Sequence, residues 1–516
     1  MQSIQILWVD DEIELLKSHI LFLASRGYET KACNNGQEAL ELINLNSFDV
    51  ILLDENMPGL NGLETLSLIK ETQPGLPVIM VTKNEEERIM EKAIGSKISD
   101  YLIKPVNPHQ ILSSLKKILN HQDLISERTS LKYQKEFQKI ALELHDLSSA
   151  KQWSKFFQKM TFWELELEQL EDKEMLEIFI SQYREANILF AKFVENNYRD
   201  WINNSTEDVL LSHQLFKERV IPVLSDNCPT LLLVIDNLRY DQWKTIEPYL
   251  LKYYNKKNEE VYFSILPTCT QYARNSIFAG LTPLEIKTHL PHYWRDDHEE
   301  GGKNLFEAEL LESLWKRLLI NGNQEYTKIT DLNAAKKVSR ELSKNRKNKL
   351  TTVVYNFVDM ISHAKSEMEI IKELASDNKA YRSLTESWFK NSPLIELIQT
   401  AQKEGFNLII TTDHGTINVD TAVEVIGDRE TSSNLRYKTG KKLKYPNKKA
   451  MEVFSPEEIK LPKNGINSGY IFAKESNYFV YPKNFNHYAN IFLNSYQHGG
   501  ISMEEMMIPF VFLTPK

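Results

Sequence analysis

Seven side chains of the kinds that bind metal ions or attack phosphorus are spread over residues 236–498. Carboxylate and imidazole groups together suit Zn²⁺, with Mn²⁺ as the alternative. A threonine hydroxyl is a weak nucleophile until a metal ion lowers its pKa, and paired metal ions also stabilise the charge that develops at phosphorus. The set therefore predicts a two-metal phosphoryl-transfer site with a threonine nucleophile. Its members are Asp236, Thr270, Asp359, His363, Asp413, His414 and His498. Taken singly, the acids also fit helix caps or turns, and His498 also fits a structural or surface histidine.

A second group of polar residues lies near the start of the chain. Asp10 and Asp11 follow one apolar run, Asp54 follows the next, Thr82 ends a third, and Lys104 follows a fourth. Three carboxylates brought together hold a hard cation such as Mg²⁺, which offsets their mutual repulsion and leaves one of them to accept a phosphoryl group. Thr82 and Lys104 would then bind the oxygens of the new phosphate.

The elements that position this second group are short apolar runs, each followed by a helical pattern. This alternation predicts a parallel α/β sheet over residues 1–120, and the polar residues fall at the strand ends, where open α/β sheets place their sites. The predicted strands are Ile4–Val9, Val50–Leu53, Val78–Val81 and Tyr101–Ile103.

The segments WVDDE, LLDENMPGLNGLE, MVTK and YLIKPV make residues 1–120 similar to the receiver domain of two-component response regulators. The resemblance implies a doubly wound fold, phosphorylation of Asp54 by a cognate histidine kinase, and a bound Mg²⁺. The Mg²⁺ ligands it implies are Asp10, Asp11, Asp54 and the backbone carbonyl of Asn56. It also implies that Thr82 and Tyr101 form the switch pair and that Lys104 binds phosphate.

Three further apolar runs carry most of the first group at their ends. Thr230–Ile235 leads to Asp236, Thr351–Val358 leads to Asp359, and Leu408–Thr411 leads to Asp413 and His414. Acids at the ends of such strands converge along one sheet edge.

The other three members of the first group sit outside the predicted strands. The spacing of Asp359 and His363 places both side chains on one face if a helix begins there. His498 precedes Gly499 and Gly500, in a loop where the backbone can approach closely. Thr270 begins a helical run, where backbone amides are available to an anion.

In this order the residues resemble the PglZ branch of the alkaline phosphatase superfamily, over residues 208–516. The resemblance implies an α/β/α domain and two Zn²⁺ ions. It assigns Asp359, His363 and His498 to one ion, and Asp236, Thr270, Asp413 and His414 to the other.

Beside Thr270, the side chains of Arg274 and Asn275 could hold phosphate oxygens as catalytic or substrate-binding groups. The alternative for both is an ordinary position on the surface of a helix.

Residues 121–207 have helical spacing with few glycines or prolines, which predicts a helical-bundle spacer of three or more helices. Aromatic residues at these spacings favour a helix–helix core over a stacking surface for a ligand. They are Trp153, Phe156, Phe157, Phe162 and Trp163.

A basic stretch interleaved with tyrosines includes Lys441, Lys442 and Lys444. It either grips a polyanionic chain near the metal site or forms a surface loop. We expect phosphodiesterase activity on oligonucleotides or cyclic nucleotides. Phosphomonoesterase activity and a non-catalytic, metal-bound effector are the alternatives. A transcription factor is disfavoured because no DNA-reading helix stands out.

The 516 residues carry a net charge of -9, which argues against non-specific DNA binding. Three cysteines without CxxC spacing support neither a disulfide framework nor a thiolate metal site. No signal peptide or spanning segment stands out, so we expect a cytoplasmic protein without membrane insertion.

The layout predicts a receiver at residues 1–120, a helical spacer at 121–207 and a PglZ domain at 208–516. As a whole it resembles a family of response regulators associated with type IX secretion in Bacteroidetes. That resemblance implies control of secretion, a phosphorylation-dependent homodimer, and contacts with a sigma factor or secretion-motor proteins.

Overall fold

The computed structural model describes residues 4–83, 98–169, 173–204, 209–299, 301–356, 358–359, 375, 377–427, 431–463, 465 and 468–516, without the side chains of 119–131 and 332. The chain divides into two compact units, residues 1–135 and 136–516. Within the described residues, no helix has the length and apolar character needed to cross a membrane. The predicted domain boundaries at residues 120 and 207 stay predictions.

The first unit contains a five-stranded parallel sheet in the order β2-β1-β3-β4-β5. Alternation along β1 sends Leu7 and Val9 into the core on one face and Ile6 and Trp8 into the core on the other. The doubly wound fold expected from the sequence is therefore present. The strands are β1 Ile4–Val9, β2 Tyr28–Cys33, β3 Val50–Asp54, β4 Val78–Thr82 and β5 Asp100–Ile103.

Strand β2 was missed by the sequence prediction because its sequence, YETKAC, is mostly polar. It lies at the edge of the sheet, where four of its six residues keep some contact with solvent. The helices of this unit are α1 Lys17–Ala24, α2 Gly36–Leu45, α3 Gly62–Thr72 and the first part of α4 Pro108–Asp146, with a 3₁₀ turn at Ile13–Leu16.

The spacer is helical, as predicted. It consists of the second part of α4, then α5 Ala150–Glu168 and α6 Lys173–Asn203. The indole of Trp153 contacts the rings of Phe156 and Phe190, with centroids 5.8 and 5.2 Å apart, so these aromatics form a helix–helix core. Phe162 differs from the others because its side chain is 53% exposed.

The second unit is built on a six-stranded sheet in the order β7-β18-β10-β6-β9-β8. Strands β10, β6, β9 and β8 are parallel, whereas β18 runs antiparallel to both of its neighbours. The parallel strands bring the residues that follow β6, β9 and β10 to one edge. The strands are β6 Thr230–Ile235, β7 Tyr254–Phe263, β8 Gln324–Ile329, β9 Leu350–Tyr355, β10 Asn407–Thr411 and β18 Met507–Pro515.

The second unit also contains three smaller sheets and a set of helices among its described residues. The small strands are β11 Ile417–Asn418, β12 Thr421–Glu424, β13 Tyr437–Lys441, β14 Ala450–Val453, β15 Ser468–Ala473, β16 Asn477–Val480 and β17 Tyr496–Gln497. The helices are α7 Ile221–Val223, α8 Tyr240–Leu250, α9 Thr270–Ala279, α10 Pro283–His289, α11 Glu307–Arg317, α12 Leu332–Glu341, α13 Asn378–Asn391, α14 Pro393–Lys403, α15 Phe485–Phe492 and α16 Met503–Met506. Shorter turns of helix lie at Ser212–Gln214, Phe216–Val220, Pro291–Tyr293, Leu342–Lys347, Asn447–Lys449 and Pro456–Ile459.

Buried ion pairs join spacer helix α5 to the sheet domain. The Arg382 guanidinium on α13 lies 3.0 Å from Glu164 Oε1 and also pairs with Glu168, both on α5. The same group lies 2.5 Å from Asp241 Oδ2 on α8, which also pairs with Arg239. Removing one member of a buried pair leaves an uncompensated charge, at a cost of about 3–5 kcal/mol. Helix α5 is thus fixed to the domain that carries the second site.

Candidate functional site

The receiver unit brings its predicted acids together at the carboxyl ends of β1 and β3. Ligand atoms of Asp10, Asp11 and Asp54 all lie within 4.8 Å of one another, and Asp10 and Asp54 are buried. Asn56 lies in the loop that follows β3. The carboxylate oxygen Asp54 Oδ1 is buried and accepts no hydrogen bond from the described residues. An unsatisfied buried carboxylate oxygen among three acids fits a divalent cation such as Mg²⁺.

Lys104 supplies a positive charge to this cluster. Its Nζ lies 2.8 Å from Asp10 Oδ2 and 2.9 Å from Asp54 Oδ2. Burial raises the pKa of Asp54, and the hydrogen bond from Lys104 opposes that rise. Burial alone would lower the pKa of Lys104, but its two carboxylate partners outweigh burial and raise it. Lys104 therefore stays charged beside the expected phosphorylation site.

The predicted switch pair is divided between the interior and the surface. Thr82 is 7% exposed and donates a hydrogen bond to the carboxylate of Glu55, a residue that the sequence prediction did not include. Tyr101 is 39% exposed. The Thr82 hydroxyl is close to the acids, whereas the Tyr101 ring faces solvent.

In the second unit, the acids that follow β6 and β10 meet as the parallel strands require. Asp236, Asp413 and His414 place ligand atoms within 4.8 Å of one another, and all three side chains are buried. His414 Nε2 lies 3.6 Å from Asp413 Oδ2 and 3.9 Å from Asp236 Oδ1. Burial raises the pKa of Asp236, although the charge of Arg274 opposes the rise. Two buried acids and an imidazole thus share one small volume.

Thr270 lies beside this cluster as the first residue of helix α9. Its Oγ1 is 3.1 Å from His414 Nε2 and 3.5 Å from Asp236 Oδ1. Because the first amides of a helix have no partner within the helix, an anion that reaches Thr270 also meets backbone N–H groups. The hydroxyl therefore stands between the acid cluster and the N-terminus of helix α9.

The predicted ligands of the other ion lie next to this cluster. His498 Nε2 is 3.8 Å from Asp359 Oδ1, and the His498 ring stacks on the His414 ring with centroids 4.2 Å apart. His363 falls outside the described residues, so its predicted role stays a prediction. Six of the seven predicted side chains are thus brought together.

The orientation of the histidines fits metal binding. His414 Nδ1 lies 3.1 Å from the carbonyl oxygen of Gly415, and His498 Nδ1 lies 3.3 Å from that of Thr268. A carbonyl can only accept, so each Nδ1 carries the proton and each Nε2 presents a lone pair toward carboxylates. Asp413 Oδ2 is also buried without a hydrogen-bond donor among the described residues. Lone pairs facing one another in a buried site fit a bound cation, and the N and O donors suit Zn²⁺.

Arg274 and Asn275 are both buried, in contrast to a position on the helix surface. The Arg274 guanidinium lies 2.8 Å from Asp236 Oδ2 and 2.7 Å from Glu307 Oε1. Asn275 Nδ2 donates to the carbonyl oxygen of Lys303 at 3.1 Å. Arg274 therefore compensates the charge of Asp236, a predicted metal ligand. The predicted contacts of both side chains with phosphate oxygens stay predictions.

Asn237 is a site residue that sequence reasoning missed. It is fully buried, and its backbone has φ 63°, a conformation that asparagine tolerates better than most residues. Its backbone N–H points to Asp413 Oδ1 at 3.4 Å, and its Nδ2 donates to Asp359 Oδ1 at 3.3 Å. One residue thus connects the carboxylates assigned to the two ions. The available signal was an asparagine directly after the strand-ending Asp236.

The loop that carries His498 is held by a second missed group. Arg436 and Glu505 are fully buried, with Arg436 Nη2 2.6 Å from Glu505 Oε2, and Gly500 N–H donates to Glu505 Oε1 at 2.9 Å. Gly499 has φ 121°, and a Cβ there would lie 2.8 Å from the ring of Tyr437. The Arg436–Glu505 pair therefore fixes the backbone on which His498 depends.

The basic stretch divides into buried and exposed residues. Lys438 is buried with its Nζ donating to the carbonyl oxygen of Ser432, and burial lowers its pKa to about 7. Lys442 and Lys444 are exposed, and Lys441 is partly buried. The exposed residues remain available for the predicted contact with a polyanion, which stays a prediction.

Sequence models of three protein families match the chain. They are the response regulator receiver domain at residues 6–116, the PorX response regulator linker domain at 123–202, and the BREX system PglZ alkaline phosphatase-like domain at 215–513.

Curated relatives each match about a quarter of this chain. The transcriptional regulatory protein ZraR of Escherichia coli O157:H7 is 33% identical over 127 residues, which cover 25% of this chain and 29% of ZraR. The transcriptional regulatory protein CpxR homolog of Haemophilus influenzae is 38% identical over 117 residues, 22% of this chain and 50% of the homolog. The chain thus spans no more than half the length of either relative.

Two solved structures are each similar to less than a quarter of this chain. A CheY-like receiver domain protein from Methanospirillum hungatei is 31% identical, with a TM-score of 0.23, and the match covers 23% of this chain and 96% of that one. The chemotaxis protein CheY4 of Vibrio cholerae is 28% identical, with a TM-score of 0.22 and coverage of 22% and 98%.

Proposed function

Because the chain belongs to the family of PglZ alkaline phosphatase-like proteins and also carries a response regulator receiver domain, we propose that its output is a zinc-dependent phosphodiesterase. The observation that carries the proposal is the position of Thr270 Oγ1, 3.1 Å from His414 Nε2 at the start of α9. The proposed substrates are oligonucleotides or cyclic nucleotides.

In the proposed reaction, Thr270 Oγ1 bonds to phosphorus in line while the bond from phosphorus to the leaving ester oxygen breaks. The leaving group departs with that electron pair and takes up the proton that Thr270 loses. Water then hydrolyses the threonine phosphodiester, which restores Thr270 and releases a phosphomonoester. The amides at the start of α9 bind the non-bridging oxygens of the substrate. Arg274 holds Asp236 in place through the contact of 2.8 Å, while Glu307 holds the other side of the guanidinium. Asn237 keeps Asp359 and Asp413 in fixed relation.

Two Zn²⁺ ions would be held by the same side chains, with Mn²⁺ as the alternative. Asp236, Thr270, Asp413 and His414 would hold one ion, and Asp359, His498 and His363 the other. When bound, the ions supply Lewis acidity that lowers the pKa of a hydroxyl and offsets the charge on phosphate. The buried Asp413 Oδ2, which accepts no hydrogen bond from the described residues, supports this assignment.

The test is hydrolysis of bis-p-nitrophenyl phosphate, p-nitrophenyl phosphate and short oligonucleotides, with and without Zn²⁺. Thr270→Ala should abolish turnover. Thr288→Ala is the matched control, because that exposed hydroxyl donates to the carbonyl oxygen of Leu284 in its own helix. Absence of metal-dependent turnover on every substrate would refute the enzymatic proposal.

Two alternatives give different outcomes in the same assay. A phosphomonoesterase would turn over p-nitrophenyl phosphate and leave the diester intact. A non-catalytic, metal-bound effector that signals through protein contacts would bind Zn²⁺ without turnover, and its Thr270→Ala variant would keep full signalling output.

On the receiver side, we propose that a cognate histidine kinase phosphorylates Asp54 with Mg²⁺ bound by Asp10, Asp11, Asp54 and the Asn56 carbonyl. The pairing of Lys104 with Asp54 at 2.9 Å supports this role. Thr82 and Tyr101 would report the phosphorylated state. The match to the PorX response regulator linker domain supports a role in controlling type IX secretion, with a sigma factor or secretion-motor proteins as partners.

Phosphorylation would promote a homodimer. Sedimentation with and without beryllofluoride tests this proposal, with a shift to the mass of a dimer as the expected result. An unchanged monomer in saturating beryllofluoride would count against it.

A further inference from the structure

Glu55 directly follows the expected phosphorylation site, Asp54. Its carboxylate is hydrogen-bonded to the Thr82 hydroxyl, the group expected to bind the phosphoryl oxygen. Thr82 Oγ1 donates this hydrogen bond, and the two residues are only 8% and 7% exposed. A threonine hydroxyl has one proton, so it donates to one acceptor at a time. While Thr82 donates to Glu55, it cannot donate to an oxygen of a phosphoryl group on Asp54.

The backbone keeps the Glu55 carboxylate in this position. Glu55 N–H donates to the carbonyl oxygen of Val81, next to Thr82, at 2.9 Å, and its own carbonyl oxygen accepts from Gly62 N–H at 2.9 Å. A Cβ at position 62 would lie 2.2 Å from the backbone carbonyl oxygen of Asp54, so only glycine allows the loop to approach β3 this closely. Glu55 is thus held on both sides.

Charge acts in the same direction as the hydrogen bond. The cluster already contains the carboxylates of Asp10, Asp11 and Asp54, and Lys104 compensates part of their charge. A phosphoryl group adds a further charge of about -1.5 to -2. The Glu55 carboxylate on the neighbouring Thr82 therefore repels the phosphorylated form.

We propose that Glu55 is a positioning residue that withholds the Thr82 hydroxyl and thereby limits phosphorylation of Asp54. In the reaction with acetyl phosphate, an Asp54 carboxylate oxygen forms a bond to phosphorus, the bond from phosphorus to the acetate oxygen breaks, and acetate leaves with the electron pair. Thr82 then turns from Glu55 to the phosphoryl oxygen. This inference is independent of the chemistry of the output domain.

The test measures the beryllofluoride affinity of the full chain in Mg²⁺, together with the fraction phosphorylated by acetyl phosphate. Glu55→Ala removes the carboxylate that accepts the Thr82 hydrogen bond and should tighten beryllofluoride binding about tenfold, the ratio that one hydrogen bond to a charged group provides. Glu55→Gln keeps an acceptor and removes the charge, so its gain should be smaller. Glu71→Ala, exposed at the end of α3, is the control and should match the wild type.

A double-mutant cycle separates action through Thr82 from a general effect of charge or folding. In a Thr82→Ala background, Glu55→Ala should give only the smaller gain that comes from removing its charge. An unchanged affinity of Glu55→Ala, or an equal gain with and without Thr82, would overturn the proposal. If Glu55→Ala does not fold, the isosteric Glu55→Gln takes its place. Its gain in beryllofluoride affinity is then compared between the wild-type and Thr82→Ala backgrounds.

Discussion

The Arg274 guanidinium lies 2.8 Å from Asp236 Oδ2, and both side chains are buried. A permanent positive charge thus stands against a carboxylate that is assigned to a metal ion. The same group lies 3.8 Å from Asp413 Oδ2 and 2.7 Å from Glu307 Oε1. Arg274 therefore stabilises the acids of the site whether or not a metal ion is bound.

Arg274→Met should destabilise the metal-free protein by about 3–5 kcal/mol, since it leaves buried carboxylates without a counter-charge. Zn²⁺ should recover part of that loss. Urea unfolding in chelator and in Zn²⁺ measures both effects. Arg199→Met, whose pair with Glu458 is largely exposed, should change stability by less than about 1 kcal/mol. Equal stability of Arg274→Met and the wild type in chelator would contradict this role.

Glu505→Gln should reduce hydrolysis and Zn²⁺ binding without touching a metal ligand. The change leaves the buried Arg436 charge uncompensated, so the loop that carries His498 should shift and stability should fall by about 3–5 kcal/mol. Zn²⁺ content after dialysis and the rate on bis-p-nitrophenyl phosphate are the measurements. Glu457→Gln, an exposed partner of Lys463, is the control and should retain both.

Stability should fall as pH rises from about 4.5 to 7 because of Glu504. Burial raises the pKa of this carboxyl to about 7 in the folded protein, from 4.5 in the unfolded chain. The folded state therefore binds more protons than the unfolded chain in this window. The resulting stabilisation is fully present below pH 4.5, and about 3 kcal/mol of it is lost by pH 7. Glu504→Gln should remove this slope in unfolding measured across the window. A slope equal to that of the wild type would contradict the assignment.

The exposed lysines of the basic stretch should contribute to the binding of oligonucleotides and not to the binding of small diesters. Lys442→Gln with Lys444→Gln should raise the KM for an oligonucleotide severalfold and weaken its salt dependence, because fewer phosphates are contacted. The KM for bis-p-nitrophenyl phosphate should stay unchanged. Lys344→Gln is the control, because Lys344 is exposed, lies outside this stretch and pairs with Glu341. Parallel changes on both substrates would argue for a general effect on the site.

Lys438 should lower the free energy of unfolding at neutral pH, and this destabilisation should decrease as pH rises. Burial lowers its pKa to about 7 from 10.5, so the unfolded chain binds more protons between these values and stability should rise with pH there. Lys438→Met should be more stable than the wild type at pH 7, and the gap should narrow toward pH 10. A constant gap in urea unfolding at the two pH values would contradict this.

The sequence was sufficient to predict the residues at strand ends. Parallel strands bring their carboxyl ends to one edge, so Asp236 and Asp413 had to meet once β6 and β10 were recognised as neighbouring apolar strands. The same reasoning placed Asp10 and Asp54 together in the receiver. These positions follow from local pattern and one rule of sheet geometry.

The supporting residues could not be predicted in the same way. Arg274 pairs with Glu307 over 33 positions, and Arg436 pairs with Glu505 over 69. No local period relates such partners, and each arginine also fits the pattern of an exposed helix or a basic loop. Only the packing of α9 and the His498 loop decides that these charges are buried.

The position of β18 has a consequence for the order in which the protein becomes competent during translation. Residues 507–515 are synthesised after every other strand of the six-stranded sheet, yet they lie between β7 and β10. Until residues 507–515 leave the ribosome, strand β10 lacks its neighbour on one side. Asp413 and His414 follow the end of this strand. The receiver sheet is complete by residue 103, and domains fold as units during synthesis. A nascent chain can therefore acquire its signal-accepting domain well before its output site is assembled.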